Sequence, residues 1–153
     1  MEQNVLFMSG FPRAGSTLLM NILAENPRFH GTPTSGLISS IATIRESWMQ
    51  NPINLSNGED YIYPKIMTML RGMVTGYYEH ELGAGKTPID KNRSWMGMLD
   101  LLDEFYGKQV KIIYPIRHIV DCLISLEKIE RKSSVIRNPR NKNRTKDGIK
   151  LLP

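Results

Sequence analysis

Cysteine is almost missing from this chain of 153 residues: Cys122 stands alone, which excludes an internal disulfide and any cysteine-cluster metal site. Long apolar runs are missing too, none approaching the roughly eighteen residues that a membrane-crossing helix needs. The opening residues Met1-Glu2-Gln3-Asn4 have neither the basic nor the apolar region of a secretory leader, so a cytoplasmic protein without a membrane span is expected. Aromatic residues are absent from 128–150, the one strongly basic stretch. That segment holds nine Lys/Arg against two acids, +7 in all, leaving 1–127 at −2 of the chain's net +5. Without rings for base stacking it reads as a solvated tail, and nucleic acid is not the expected partner.

What is present is an ordinary globular composition, 41% hydrophobic and 23% charged, at a length that suits one domain. Residues 1–132 carry periodic apolar patterns and 133–153 form the basic tail. Val5 to Met8 read as a short buried strand. A turn broken by Gly10, Pro12 and Gly15 follows, and Ser16 and Thr17 open an apolar helical pattern over about 16–25. A short strand is expected near 29–33 and a helix over 37–49. A polar loop at 51–60 precedes one long helix over 61–82. A strand at 85–91 leads to a helix from a Ser94 cap to about 106. Val110 to Tyr114 form the clearest buried strand. A last helix turns Ile119, Cys122, Leu123, Leu126 and Ile129 inward, with periodicity failing beyond about 134. Alternating strands and helices predict an α/β fold: a doubly wound, mainly parallel sheet of about four strands, its ligands at the strands' carboxyl ends.

Strand, glycine loop and helix start together make a phosphate cradle, because loop amides and the positive end of the helix dipole converge on one anion. The spacing of Gly10 and Gly15 matches the nucleoside triphosphatase loop GxxxxGK[ST] except that Ser16 replaces its lysine. The positive charge sits inside the loop instead, as Arg13.

With Pro12-Arg13-Ala14-Gly15-Ser16-Thr17, the loop resembles that of the sulfotransferases, bacterial and phage members and the tyrosylprotein type included. The resemblance implies that Arg13, Ala14, Gly15, Ser16 and Thr17 hold the 5′-phosphosulfate of PAPS (3′-phosphoadenosine 5′-phosphosulfate), with PAP as product. It likewise implies that Arg117 and Ser125, eight residues apart after the 110–114 strand, bind the 3′-phosphate. Asp90-Lys91-Asn92-Arg93 resembles a lysine-bearing strand end of that family, which implies Lys91 as a catalytic charge beside the sulfuryl group. Asp90 either orients Lys91 or acts as base, and no metal is implied. Thr34 stands where tyrosylprotein enzymes carry a catalytic glutamate, and His30, His80 and His118 match no family motif. Asp90 is therefore the first choice of base and Glu46 the second. The chain is also shorter than most sulfotransferases, as a truncated member would be. The alternatives are a nucleotide-binding module of the same fold without turnover, and a phosphate-loop kinase or triphosphatase. The acceptor and the oligomeric state are not readable.

Overall fold

The computed structural model describes residues 3–107 and 110–137. The chain divides into two compact units, Met1–Ile116 and a second beginning at Arg117. The first unit opens with β1 (Leu6–Met8), α1 (Ser16–Ala24), β2 (Phe29–Gly31) and α2 (Leu37–Met49). Three helices follow, α3 (Pro52–Ser56), α4 (Glu59–Tyr77) and α5 (Glu79–Gly83). Then come β3 (Thr87–Lys91), a 3-10 helix (Arg93–Met98), α6 (Leu99–Tyr106) and β4 (Ile112–Ile113). The second unit holds α7 (Ile119–Arg137).

The four strands make one sheet in the order β2-β3-β1-β4, every pair parallel. Connections from β1 and from β3 leave in opposite directions, so a crevice opens at the carboxyl end of β1. The register sets Phe7 opposite Asp90 and Met8 opposite Lys91. Side chains alternate faces along a strand, so this register assigns a side of the sheet to every residue near the crevice. On the Phe7 face lie α2, α4 and α6, whose Ile38, Ile41, Ile66, Leu70, Leu102 and Phe105 are buried in one core. Trp95 joins them, its ring 4.5 Å from that of Phe7. On the Met8 face a smaller cluster of Met8, Ile89 and Met20 seats α1. Each large apolar side chain so buried contributes about 1.5–3 kcal/mol.

The doubly wound α/β fold matches the expectation, and several boundaries differ for identifiable reasons. The polar stretch at 51–60 is not all loop. Asn51 accepts the Ile53 amide at 2.9 Å and Pro52 stands in the first turn, which suffices to start α3. The helix expected over 61–82 begins at Glu59 and breaks at Tyr78, whose backbone leaves helical geometry while its ring is buried. The helix expected from Ser94 starts as a 3-10 turn, capped by Asn92, which accepts the Ser94 amide at 3.0 Å. Of the strand expected over 110–114 only Ile112 and Ile113 pair, at the sheet edge and half-buried.

Helix α7 continues to Arg137. Of the five residues expected inward, Cys122 is buried while Ile119, Leu123, Leu126 and Ile129 are exposed. Periodicity selects the side of a helix that is apolar; it does not supply the surface that covers it. Residues 138–153 of the expected tail lie outside the described residues. Among the described residues no helix is long and apolar enough to cross a membrane.

Candidate active site

The loop between β1 and α1 is tied down at both ends. The Ser9 amide donates to the Ile113 carbonyl at 3.0 Å, and the Ser9 hydroxyl donates to the Arg93 carbonyl at 2.8 Å. A Cβ on Gly10 would stand 3.3 Å from the Pro115 ring, so only glycine lets the chain leave β1 there without displacing that proline. Arg13 has φ 68 and Gly15 has φ 96, the left-handed turn that feeds the helix. The first bond of α1 runs from the Leu19 amide to the Gly15 carbonyl at 2.9 Å. The amides of Ser16, Thr17 and Leu18 precede it, and no side chain caps this end. The loop thus presents a run of N–H donors at the positive end of a helix, with no acid in its first turn.

Lys91 closes this cradle from the neighbouring strand. It lies on the Met8 face, where α1 packs, and its Nζ donates to Thr17 Oγ1 at 2.8 Å. The residue is buried at 9% exposure. Burial holds its ammonium below the usual lysine range, and the nearby Arg93 acts in the same direction. Among the described residues no carboxylate forms an ion pair with it. This desolvated cation stands beside a row of amide donors.

Asp90, one residue earlier, faces the other way. It is fully buried, accepting the Tyr78 hydroxyl on Oδ2 and the Trp95 indole N–H on Oδ1, both at 2.7 Å. The phenol of Tyr78 is pushed well above its ordinary pKa by burial and then by that hydrogen bond, so it remains a donor. The strand's period of two thus sends the two candidate catalytic residues to opposite faces of the sheet.

The family model described as the Sulfotransferase family matches residues 6–141, most of the chain. The chain belongs to the sulfotransferase family. Comparison with curated proteins gives no match. In this chain the corner after β2 leans on the strand end that carries Lys91. The Ser35 amide donates to the Lys91 carbonyl at 3.0 Å, and Asn92 donates from Nδ2 to the Ser35 carbonyl at 2.7 Å. Ser35 also accepts the Leu37 amide at 2.9 Å, starting α2 at the crevice. Thr34 beside it is exposed, its hydroxyl turned back on the Pro33 carbonyl.

The other candidate residues lie elsewhere. Glu46 sits ten residues past Gly36, about 15 Å down α2 from the crevice. His30 lies 3.8 Å from Glu81, in a pair charged only when the imidazole is protonated. Arg117 and Ser125 belong to the second unit, Ser125 on α7 and Arg117 just before it, with Arg117 Nε 3.9 Å from Asp121 Oδ2. Four residues bonded to the Asp90–Asn92 strand end or its flanking corner carry no assignment from the sequence: Tyr78, Trp95, Ser35 and Asn92. Asn92 alone carried a local signal, an Asn immediately before a helical turn.

Proposed function

We propose that the chain moves the sulfuryl group of PAPS to a hydroxyl or amine acceptor. The observation that carries this reading is the bond from Lys91 to Thr17, which brings a cation to the mouth of a phosphate loop whose own lysine position is Ser16. The loop fits a 5′-phosphosulfate. Amides of Ser16 and Thr17, the guanidinium of Arg13 and the open side of Gly15, where an added Cβ would meet nothing within 4 Å, are matched to an anionic group. PAPS, when bound, supplies an activated sulfuryl group and leaves as PAP. Lys91 offers positive charge to the anionic oxygens held by the loop, the fixed electrostatic help that such transfers mostly require. Arg117 and Ser125 take the 3′-phosphate, a bidentate cation with a hydroxyl donor. Asp90 positions Lys91 by anchoring β3 in the core; with both oxygens engaged it is not the base.

The same engagement weighs against a triphosphatase, which needs a strand carboxylate for Mg²⁺. Asp90 is the carboxylate of β3, and β4 carries none. A second reading, nucleotide binding without turnover, is favoured by Thr34 and by the inward-facing Asp90. Incubation with PAPS labelled in the sulfuryl group, against a broad panel of alcohols and amines, separates the two. Labelled product together with PAP supports transfer. Binding of PAP with no labelled product from any acceptor favours the module.

A further inference from the structure

At the end of α2 remote from the crevice, the chain folds its own turns around a second cavity. The Asn54 side chain donates from Nδ2 to the Trp48 carbonyl at 3.0 Å, which pins α3 to the end of α2. Gly58, at φ 86, then turns the backbone into α4. Between these pieces lies a cavity of about 100 Å³, walled by Trp48, Met49, Leu55, Ile62, Tyr63 and Glu59. It stands apart from the phosphate loop: Trp48 lies eleven residues beyond Leu37, about 16 Å along the helix.

The walls combine two aromatic rings with a single charge. Tyr63 donates its hydroxyl to Glu104 Oε1 on α6, so its polar end is already satisfied and its ring is left as wall. Trp48 is 38% exposed, within reach of a molecule arriving from solvent. Glu59 is the one charged residue in the lining, and among the described residues no ion pair engages it. Arg45 is near enough to act on Tyr63 electrostatically, yet it forms no ion pair with Glu59 among the described residues.

These walls treat different occupants differently. An anion would meet the Glu59 carboxylate with no cation in the lining to offset it. A neutral apolar molecule would take water from that carboxylate and replace it with nothing. A cation with an apolar skin meets both conditions. Aromatic faces attract positive charge, tryptophan most strongly, and the carboxylate beside them supplies the counter-charge. Size sets the rest: a dry cavity of about 150 Å³ admits benzene, so this smaller one takes a compact head group and leaves any longer tail outside. We infer that the cavity binds a small organic cation of the quaternary ammonium class, with Glu59 as counter-charge and Trp48 and Tyr63 as its aromatic walls. The inference does not depend on the transferase reading, because none of these residues belongs to the cofactor machinery.

The chain has two tryptophans, one in the cavity wall and the other, Trp95, in the core, so the two indole N–H resonances of the isotope-labelled protein report on the site directly. Titration with choline is expected to move the Trp48 resonance saturably and to leave that of Trp95 in place. The neutral isostere 3,3-dimethyl-1-butanol, of the same shape without the charge, is expected to bind at least about fivefold more weakly. Glu59→Gln is expected to weaken choline by a similar factor, with thermal melting to verify that the variant is folded. Trp48→Leu, followed through the methyl resonance of choline because the reporter ring is gone, is expected to do the same. A Trp48 resonance that shows no saturable shift, an isostere that binds as tightly as choline, or undiminished binding in folded Glu59→Gln would each overturn the inference. A shift confined to Trp95 would overturn it as well, by placing the cation beside the crevice; if Glu59→Gln does not fold, the isostere comparison decides.

Discussion

Lys91 Nζ lies 2.8 Å from Thr17 Oγ1, which couples the end of β3 to the first turn of α1. A cation reaches the phosphate loop from the adjacent strand in a chain where Ser16 occupies the loop's own lysine position. The ammonium there costs stability, because it is desolvated and has no acidic partner among the described residues.

Replacing Lys91 with Met is expected to stabilise the free protein by about 0.5–2 kcal/mol while weakening PAP binding. The folded pKa of Lys91 lies below its ordinary 10.5. Between the two values the unfolded chain holds the extra proton, so wild-type stability rises with pH across that window. The advantage of Lys91→Met should therefore shrink as pH approaches 10.5 in urea melts. An advantage that does not change with pH would show that the ammonium is not desolvated.

Asp90→Asn tests positioning against base catalysis. An amide keeps the Trp95 N–H on its oxygen and turns its NH₂ toward Tyr78, whose hydroxyl must reverse to accept, and the carboxylate's charge is lost. The loss of a buried, charge-assisted bond costs about 1.5–3 kcal/mol. The melting midpoint should fall together with transfer. A variant as stable as wild type but inactive would restore Asp90 as a base.

Gly15→Ala isolates backbone strain, since the added methyl meets nothing within 4 Å while φ is 96. A left-handed alanine costs roughly 1–2 kcal/mol. The expected result is a lower melting midpoint with weaker PAP binding, read by calorimetry; an unchanged midpoint would mean that the loop relaxes without penalty.

Arg117→Ala should separate binding from stability. Its pairing with Asp121 at 3.9 Å is a surface i,i+4 contact, worth at most about 1 kcal/mol. PAP affinity should fall by about 2–5 kcal/mol if a desolvated charge pair with the 3′-phosphate is lost. An unchanged affinity would remove Arg117 from the cofactor site.

The strand, turn and helix from Leu6 to Ala24 were legible because glycine spacing, apolar runs and helix-start residues are local signals. Lys91 was legible from the residues as a charged strand end and, through the resemblance, as a candidate catalytic charge. That it meets Thr17 depends on the Met8–Lys91 register, set by sheet pairing across more than eighty residues. The opposite placement of Asp90 follows from the period of two, a signal that two adjacent polar residues already contain. Its partners do not: Tyr78 lies twelve residues before it and Trp95 five after, and only packing of α4 and the 3-10 turn against the sheet brings them to the carboxylate. The inward face expected for α7 failed at Ile119 and Leu123 because sequence periodicity carries no information about what lies opposite.

The central claim is that the β1 loop with Lys91 forms a site for a nucleotide bearing a 3′-phosphate and a 5′-phosphosulfate. Calorimetric titration of the wild-type chain with PAP, set beside ATP with Mg²⁺, tests it most directly. Saturable 1:1 binding of PAP, at least tenfold tighter than ATP, is predicted; equal affinity for ATP, or no binding of PAP, would contradict it.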